Sequence, residues 1–164
     1  MDFKENLHLN IGPEEVSYDY YNKPQRAYYS FAVYYKNNDD ELQLKFFDFI
    51  SNNLTKNGWW VCNALKTIFN DANWQSLKPS KVYLWMDNGP HFKTYEVANF
   101  LFNVSTQYTF NLEWNFFVEG HGKSICDTHF SKISEALKQW TKQPNHYIKG
   151  THSTIIAIND MFNF

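Results

Sequence analysis

Cysteine is scarce in this chain, which has two among its 164 residues, Cys62 and Cys126. They form no Cys-x-x-Cys motif, and each lies in an apolar or helix-like stretch. A disulfide-stapled domain needs several cysteines at regular spacing, so the sequence excludes that class of small secreted protein. We expect two reduced and buried thiols.

The chain also lacks a long apolar run and a large net charge. Its apolar runs are far shorter than the ~20 residues that cross a bilayer, and charged residues follow Met1 where a signal peptide would be apolar. Fifteen basic and 17 acidic residues leave a net charge of -2, so no overall basic field indicates a nucleic-acid partner. Between residues 120 and 150, five lysines oppose two acidic residues, a local charge of +3. We expect a nuclear or otherwise intracellular protein without a membrane segment.

Aromatic residues, in contrast, are abundant, with 15 Phe, 11 Tyr and 6 Trp making up 20% of the chain. Such a composition predicts a folded protein with a hydrophobic core and excludes a disordered chain. No repeat or low-complexity linker divides the sequence, so we predict a single domain over residues 1–164. Residues 10–26 are expected to form a loose connection, and residues 143–164 a C-terminal extension.

Hydrophobic periodicity predicts strands and helices that alternate after an initial group of strands. Counting the first few residues as a strand remnant, the order is β, β, β, α, β, α, β, α. The predicted strands are 27–36, 42–50, 81–86 and 108–117, and the predicted helices are 59–69, 92–103 and 124–140. Carboxylates at strand ends and at a helix start can converge in such an arrangement.

Three aspartates occupy positions of that kind. Asp2 lies at the chain start, Asp87 follows a predicted strand, and Asp127 lies in the first turns of the last helix, at separations of 85 and 40 residues. Clustered carboxylates repel one another, and divalent cations relieve this repulsion. Hard oxygen ligands suit Mg²⁺ or Mn²⁺, and two such ions can activate a nucleophile and stabilise a leaving oxygen in phosphodiester chemistry.

The segments around these aspartates resemble a known family. They read MDFKEN at 1–6, WMDNGPHF at 85–92 and NFFVEGHGKSICDTHF at 115–130. Together they resemble the catalytic core of eukaryotic transposon-encoded DDE-type transposases and integrases, and the resemblance spans nearly the whole chain.

This resemblance implies a ribonuclease H-like α/β fold. The expected sheet is mixed and five-stranded, with three antiparallel strands followed by α-β-α-β-α and with helices on both faces. Asp2, Asp87 and Asp127 would be the catalytic residues and would hold two Mg²⁺ or Mn²⁺ ions. The implied activity is DNA cleavage and strand transfer, with transposon ends and target DNA as partners and a homo-oligomer as the working form.

Basic and polar residues near the predicted site are candidates for binding DNA. His121 and Lys123 surround the glycine-rich start of the last helix, where free backbone N–H groups can hold phosphate. His91 follows the turn after Asp87, and Lys132 belongs to the basic segment. A polar loop in which the glycines serve only turn geometry is the alternative for this region.

The sequence leaves other interpretations open. Only Met1 precedes Asp2, so the first strand is expected to be truncated, and the terminal ammonium would compete with a metal for the Asp2 carboxylate. The truncated strand favours a catalytically inactive, truncated or domesticated module that binds nucleic acid or protein. No end-recognition module is evident, so the chain is expected to be either an excised fragment or part of a degraded or repurposed element. A true ribonuclease H would need a Glu on the first helix, and residues 59–69 contain no acid.

Each site residue also has a structural interpretation. Asp87 before Asn-Gly-Pro can be a turn former, and Asp127 can be a carboxylate favoured by the helix dipole. Cys126, His129 and His121 could instead suggest zinc, although a fourth ligand is not evident.

Overall fold

A computed structural model describes residues 1–3, 6–9, 25–37, 39–118, 124–148 and 150–162. These residues form a mixed α/β structure with six strands and five helices. The strands are β1 (Asp2–Phe3), β2 (Leu7–His8), β3 (Gln25–Lys36), β4 (Leu42–Ser51), β5 (Lys81–Met86) and β6 (Asn111–Phe116). The helices are α1 (Gly58–Phe69), α2 (Ala72–Leu77), α3 (Tyr95–Gln107), α4 (Ile125–Trp140) and α5 (Thr151–Phe162), and a 3₁₀ turn spans Pro90–Phe92.

The chain divides into two compact units. The first contains residues 1–2, 31–47 and 55–122, and the second contains residues 3–30, 48–54 and 123–164. The boundaries cut through β1, β3 and β4, so each unit takes one part of these three strands.

A four-stranded sheet is built around β3, which pairs with β1, β2 and β4. β2 runs antiparallel to β3, with Leu7 opposite Arg26. The turn between β3 and β4 is too short for a parallel crossover, so these strands form a hairpin. The Asn37 side chain accepts hydrogen bonds from the backbone N–H groups of Asp39 (3.0 Å) and Glu41 (2.9 Å), which organises the turn.

A second, two-stranded sheet consists of β5 and β6, which are parallel from Lys81 opposite Asn111 to Met86 opposite Phe116. Helix α3 forms the crossover between them. Along β5 the side chains of Val82, Leu84 and Met86 are buried, whereas those of Tyr83 and Trp85 are exposed. One face of this sheet therefore contributes to the core.

In the first unit, α1 packs against α3. Asn57 caps α1 by accepting a hydrogen bond from the Trp60 N–H (3.0 Å), and Thr94 caps α3 by accepting one from the Val97 N–H (3.3 Å). Gly58 lies so close to Thr94 that a Cβ atom there would collide with the Thr94 hydroxyl. The two helix starts are thus in direct contact.

In the second unit, α4 and α5 pack on each other. The Trp140 indole near the end of α4 donates to the Asp160 carboxylate on α5 (3.4 Å). The buried stripe of α4 consists of Cys126, Phe130, Ile133, Ala136, Leu137 and Trp140. Their spacing is that of one helix face.

The mixed α/β class and most element positions agree with the sequence-based expectations, and both thiols are free and buried as predicted. Two sets of bounds were wrong. The helix predicted over 92–103 spans 95–107, because Thr94 caps it and residues 90–92 form a separate 3₁₀ turn. The strand predicted over 108–117 spans 111–116, because Thr109 adopts a left-handed φ of 54°. Two further helices, α2 and α5, were not predicted.

None of the helices described here is both long enough and apolar enough to pass through a membrane.

Candidate functional site

Asp2 and Asp87 are neighbours through their backbones in the first unit. The Met1 amino group donates to the Trp85 carbonyl (2.8 Å), and the Asp87 N–H donates to the Met1 carbonyl (3.4 Å). In a parallel bridge, a residue donates through its nitrogen to the residue before its partner and accepts through its carbonyl oxygen from the residue after its partner. These two hydrogen bonds therefore pair Met1 with Met86. The next pair in this register is Asp2 and Asp87.

This register gives the two aspartates a shared environment. Neighbouring strands lie about 5 Å apart, and residues opposite one another on parallel strands project to the same face. Asp2 and Asp87 are both partly exposed, so solvent ions can reach them. Two carboxylates at this spacing are a donor set that suits a hard divalent cation such as Mg²⁺ or Mn²⁺.

The turn after Asp87 brings His91 close to that carboxylate. The His91 ring packs over Gly89, where a Cβ atom would come within 2.7 Å of the ring Cε1, and its centroid lies 4.3 Å from that of Phe92. Burial lowers the pKa of His91, the Asp87 carboxylate opposes that shift, and Lys56 adds to it. At neutral pH the neutral imidazole is therefore favoured, which can exchange hydrogen bonds but does not carry the charge of a phosphate-binding cation.

Asp127 lies in the second unit, in the first turn of α4. Its Oδ2 atom accepts hydrogen bonds from the Ser124 backbone N–H (2.7 Å) and the Ser124 hydroxyl (3.3 Å). The Ser124 side chain in turn accepts from the Asp127 backbone N–H, which makes the pair a capping box. The structural interpretation of Asp127 as an N-terminal helix carboxylate is thus confirmed. Both bonds use Oδ2, so a metal could be bound through Oδ1 without breaking the cap.

The same end of α4 is attached to strands of the second unit. His129 Nε2 lies 2.8 Å from Asp48 Oδ2 on β4, with the two side chains 11% and 25% exposed. Phe130 packs edge-on against Tyr28 of β3, with centroids 5.0 Å apart, and the Cys126 thiol donates to the Ser30 carbonyl (3.7 Å). Burial and the nearby Asp48 carboxylate raise the pKa of Tyr28 above its ordinary range.

Asp48 is a site residue that the sequence-based reasoning missed. A signal was present, because Asp48 interrupts the apolar run from Phe46 to Ile50 with a single acid. Its partner is 81 residues away. Without the fold, nothing identified that partner as His129.

The remaining predicted residues have separate outcomes. His121 and Lys123 lie outside the described residues, and Lys132 is exposed on α4. Within the described ranges, no group of three or more His, Cys, Asp or Glu side chains is arranged to hold a metal ion. The three-aspartate site and its two metals therefore stay a prediction, with Asp2 and Asp87 as the pair that the backbone brings together.

Comparison with known proteins adds one finding. A family described as a domain of unknown function, DUF8701, matches residues 1–162. No curated protein matches the chain.

Proposed function

The chain belongs to the DUF8701 family, and from its residues we propose that it is a DDE-type transposase or integrase core that cleaves and joins DNA. Asp2, Asp87 and Asp127 would be the catalytic carboxylates. The single observation that carries the proposal is the backbone pairing of Met1 with Met86, which makes Asp2 and Asp87 neighbours although they are 85 residues apart in sequence.

Strand order supports the finer proposal of a ribonuclease H-like sheet. In the four-stranded sheet, β1 pairs with β3, and β3 pairs with β4. Met1, directly before β1, bonds to β5, which pairs with β6. We infer a continuous order β4-β3-β1-β5-β6, in which the first strand is central and its aspartate lies beside the end of β5.

Each site residue has a defined part in this proposal. Asp2 and Asp87 offer two carboxylates on adjacent strands, and Asp127 would add a third through the oxygen that its cap does not use. Bound Mg²⁺ or Mn²⁺ would activate a water or a 3′-hydroxyl and stabilise the leaving oxygen. The neutral His91 can orient a phosphate or the attacking group by hydrogen bonding.

A metal titration of the wild-type protein and of Asp87→Asn tests the proposal. Mn²⁺ at 100 times its Kd stabilises a folded protein by about 2.7 kcal/mol, which corresponds to an increase in Tm of about 5–11 °C for a domain of this size. We expect the wild type to show this increase and to nick supercoiled DNA, and Asp87→Asn to lose both. Asp39→Asn, in the exposed β3–β4 turn, is the matched control and should behave as wild type.

The result that contradicts the proposal is a folded wild-type protein that is neither stabilised by Mn²⁺ nor able to nick DNA. Cleavage of RNA–DNA hybrids in preference to duplex DNA would instead indicate a ribonuclease H.

A binding module without catalysis is the second candidate, and one observation favours it. Parallel sheets are normally covered on both faces, yet Tyr83 and Trp85 of β5 are 56% and 47% exposed. Exposed aromatic side chains on a sheet face can stack on bases or contact a protein. Under this candidate, Tyr83→Ser would weaken binding to single-stranded DNA while Asp87→Asn would leave it unchanged, as measured by fluorescence anisotropy.

A further inference from the structure

The buried stripe of α4 holds this helix against the strands of the second unit but does not by itself define its rotation. Successive residues of an α-helix are about 100° apart. Relative to Cys126, the buried side chains of α4 then extend from about -80° at Ala136 to about +40° at Phe130. Apolar contacts over this stripe are not directional, so they permit a small roll of the helix about its axis.

His129 lies within this stripe, and Asp127 lies outside it. His129 is at about -60° and Asp127 at about +100° from Cys126, so about 160° separates them around the helix. The hydrogen bond between His129 Nε2 and Asp48 Oδ2 joins the buried side of α4 to β4. It is directional and largely buried, which gives it the geometric selectivity that apolar contacts lack.

A small roll would matter at the position of Asp127. Side-chain ends lie about 5–6 Å from a helix axis, so a roll of about 20° moves a carboxylate by about 2 Å. A misplacement of about 1 Å in a catalytic arrangement can already cost about 100-fold in rate.

We propose that His129, held by Asp48, is a positioning residue that sets the rotation of α4 and thereby the placement of the Asp127 carboxylate. This inference rests on the proposed function, because it assigns the placement of Asp127 a role in metal binding. In this role, neither His129 nor Asp48 contacts DNA or metal.

The test uses the full chain with three substitutions of α4. His129→Leu removes the bond to Asp48, His129→Gln can still donate to it, and Ile133→Val removes one methylene from the centre of the stripe as a matched control. Mn²⁺ binding is followed by the electron paramagnetic resonance of the free ion. Plasmid nicking gives kcat and the KM for DNA, and amide hydrogen exchange reports the first turn of α4 in the metal-free protein.

We expect His129→Leu to weaken Mn²⁺ binding and lower kcat by about 10–100-fold, the range found when residues that orient metal ligands are lost. The KM for DNA should stay unchanged, and exchange in the first turn of α4 should accelerate. His129→Gln should restore binding and kcat to within about threefold of wild type, whereas Ile133→Val should lower only the Tm. Asp48→Ala breaks the same contact from its more exposed side and also removes the carboxylate beside Tyr28. If His129→Leu folds poorly, Asp48→Ala should show the weaker Mn²⁺ binding and lower kcat in its place.

The possible failures are distinguishable. If the wild type binds Mn²⁺ and nicks DNA but His129→Leu and Asp48→Ala match Ile133→Val, the positioning role is overturned and the proposed function stands. If the wild type neither binds Mn²⁺ nor nicks DNA, both the proposed function and the positioning role are contradicted.

Discussion

Substitutions in the first turn of α4 separate the two roles of Asp127, as a helix cap and as a proposed metal ligand. In Asp127→Ala the Ser124 N–H loses its charged acceptor at 2.7 Å, and the helix N-terminus loses a favourable charge. These losses cost about 1–2 kcal/mol together, or about 2–8 °C in Tm for a chain of this length. Asp127→Asn keeps an oxygen that can accept the same bond and should cost about 0.5 kcal/mol.

Ser124→Ala provides the complementary change. It removes the hydroxyl that donates to Asp127 Oδ2 at 3.3 Å but leaves the carboxylate in place. We expect a loss of about 1 kcal/mol, measured by thermal unfolding, with plasmid nicking by the folded protein unchanged. Asp127→Asn should show the reverse, with nearly unchanged stability and nicking reduced at least about 100-fold, since a direct ligand matters more than its neighbours.

Nicking of DNA by Asp127→Asn at the wild-type rate would rule out Asp127 as a metal ligand. Asp127 would then be a capping residue alone, and a DDE-type site would need a different third carboxylate.

Three further predictions concern other parts of the chain. Because His91 has a lowered pKa in the folded protein, the unfolded chain binds more protons than the folded protein does below about pH 6.5. In urea titrations, the metal-free wild type should therefore lose stability as the pH falls through that value. His91→Gln should lose less stability over the same pH range. Gly58→Ala should lower the Tm because its Cβ displaces the Thr94 hydroxyl from its cap. In a Thr94→Ala background, where only the contact with the Cβ of residue 94 at 3.2 Å remains, the loss should be smaller; equal effects in both backgrounds would contradict the clash. Burial raises the pKa of the Cys62 thiol to about 11, and Cys126 is 1% exposed. A thiol reagent at pH 8 should therefore label neither cysteine in the native protein and both cysteines in guanidinium. Rapid labelling of the native protein would disprove their burial.

Much of the secondary structure could be predicted because its signals are local. β5 was predicted with its observed bounds, since Pro79-Ser80 and Asn88-Gly89-Pro90 bracket a short apolar run. The start of α3 was missed because the periodic pattern begins at Phe92, whereas the Thr94 side chain that caps the helix lies two residues later. α2 is a single short element capped by Asp71, too brief for periodicity to detect.

In the candidate site, some features are predictable from local sequence and others depend on the fold. The Ser124-x-x-Asp127 cap is a local pattern and agrees with the structural interpretation of Asp127. The pairing of Asp48 with His129 spans 81 residues, and only the fold brings these two together. The convergence of Asp2 and Asp87 was expected from strand ends meeting at one edge, and the Met1 hydrogen bonds supply the register that the sequence could not.

The bridge between Met1 and Met86 also has a consequence for the order of folding. The β5–β6 pairing closes a loop of 30 residues, from Lys81 to Asn111, whereas the bridge between Met1 and Met86 closes a loop of 85 residues. Chain entropy makes the longer closure costlier by about 0.9 kcal/mol, and contacts of greater sequence separation form more slowly. The two-stranded sheet can therefore form before the N-terminus docks, and Asp2 joins Asp87 in a late step. A metal that needs both carboxylates would bind the finished fold rather than guide its formation.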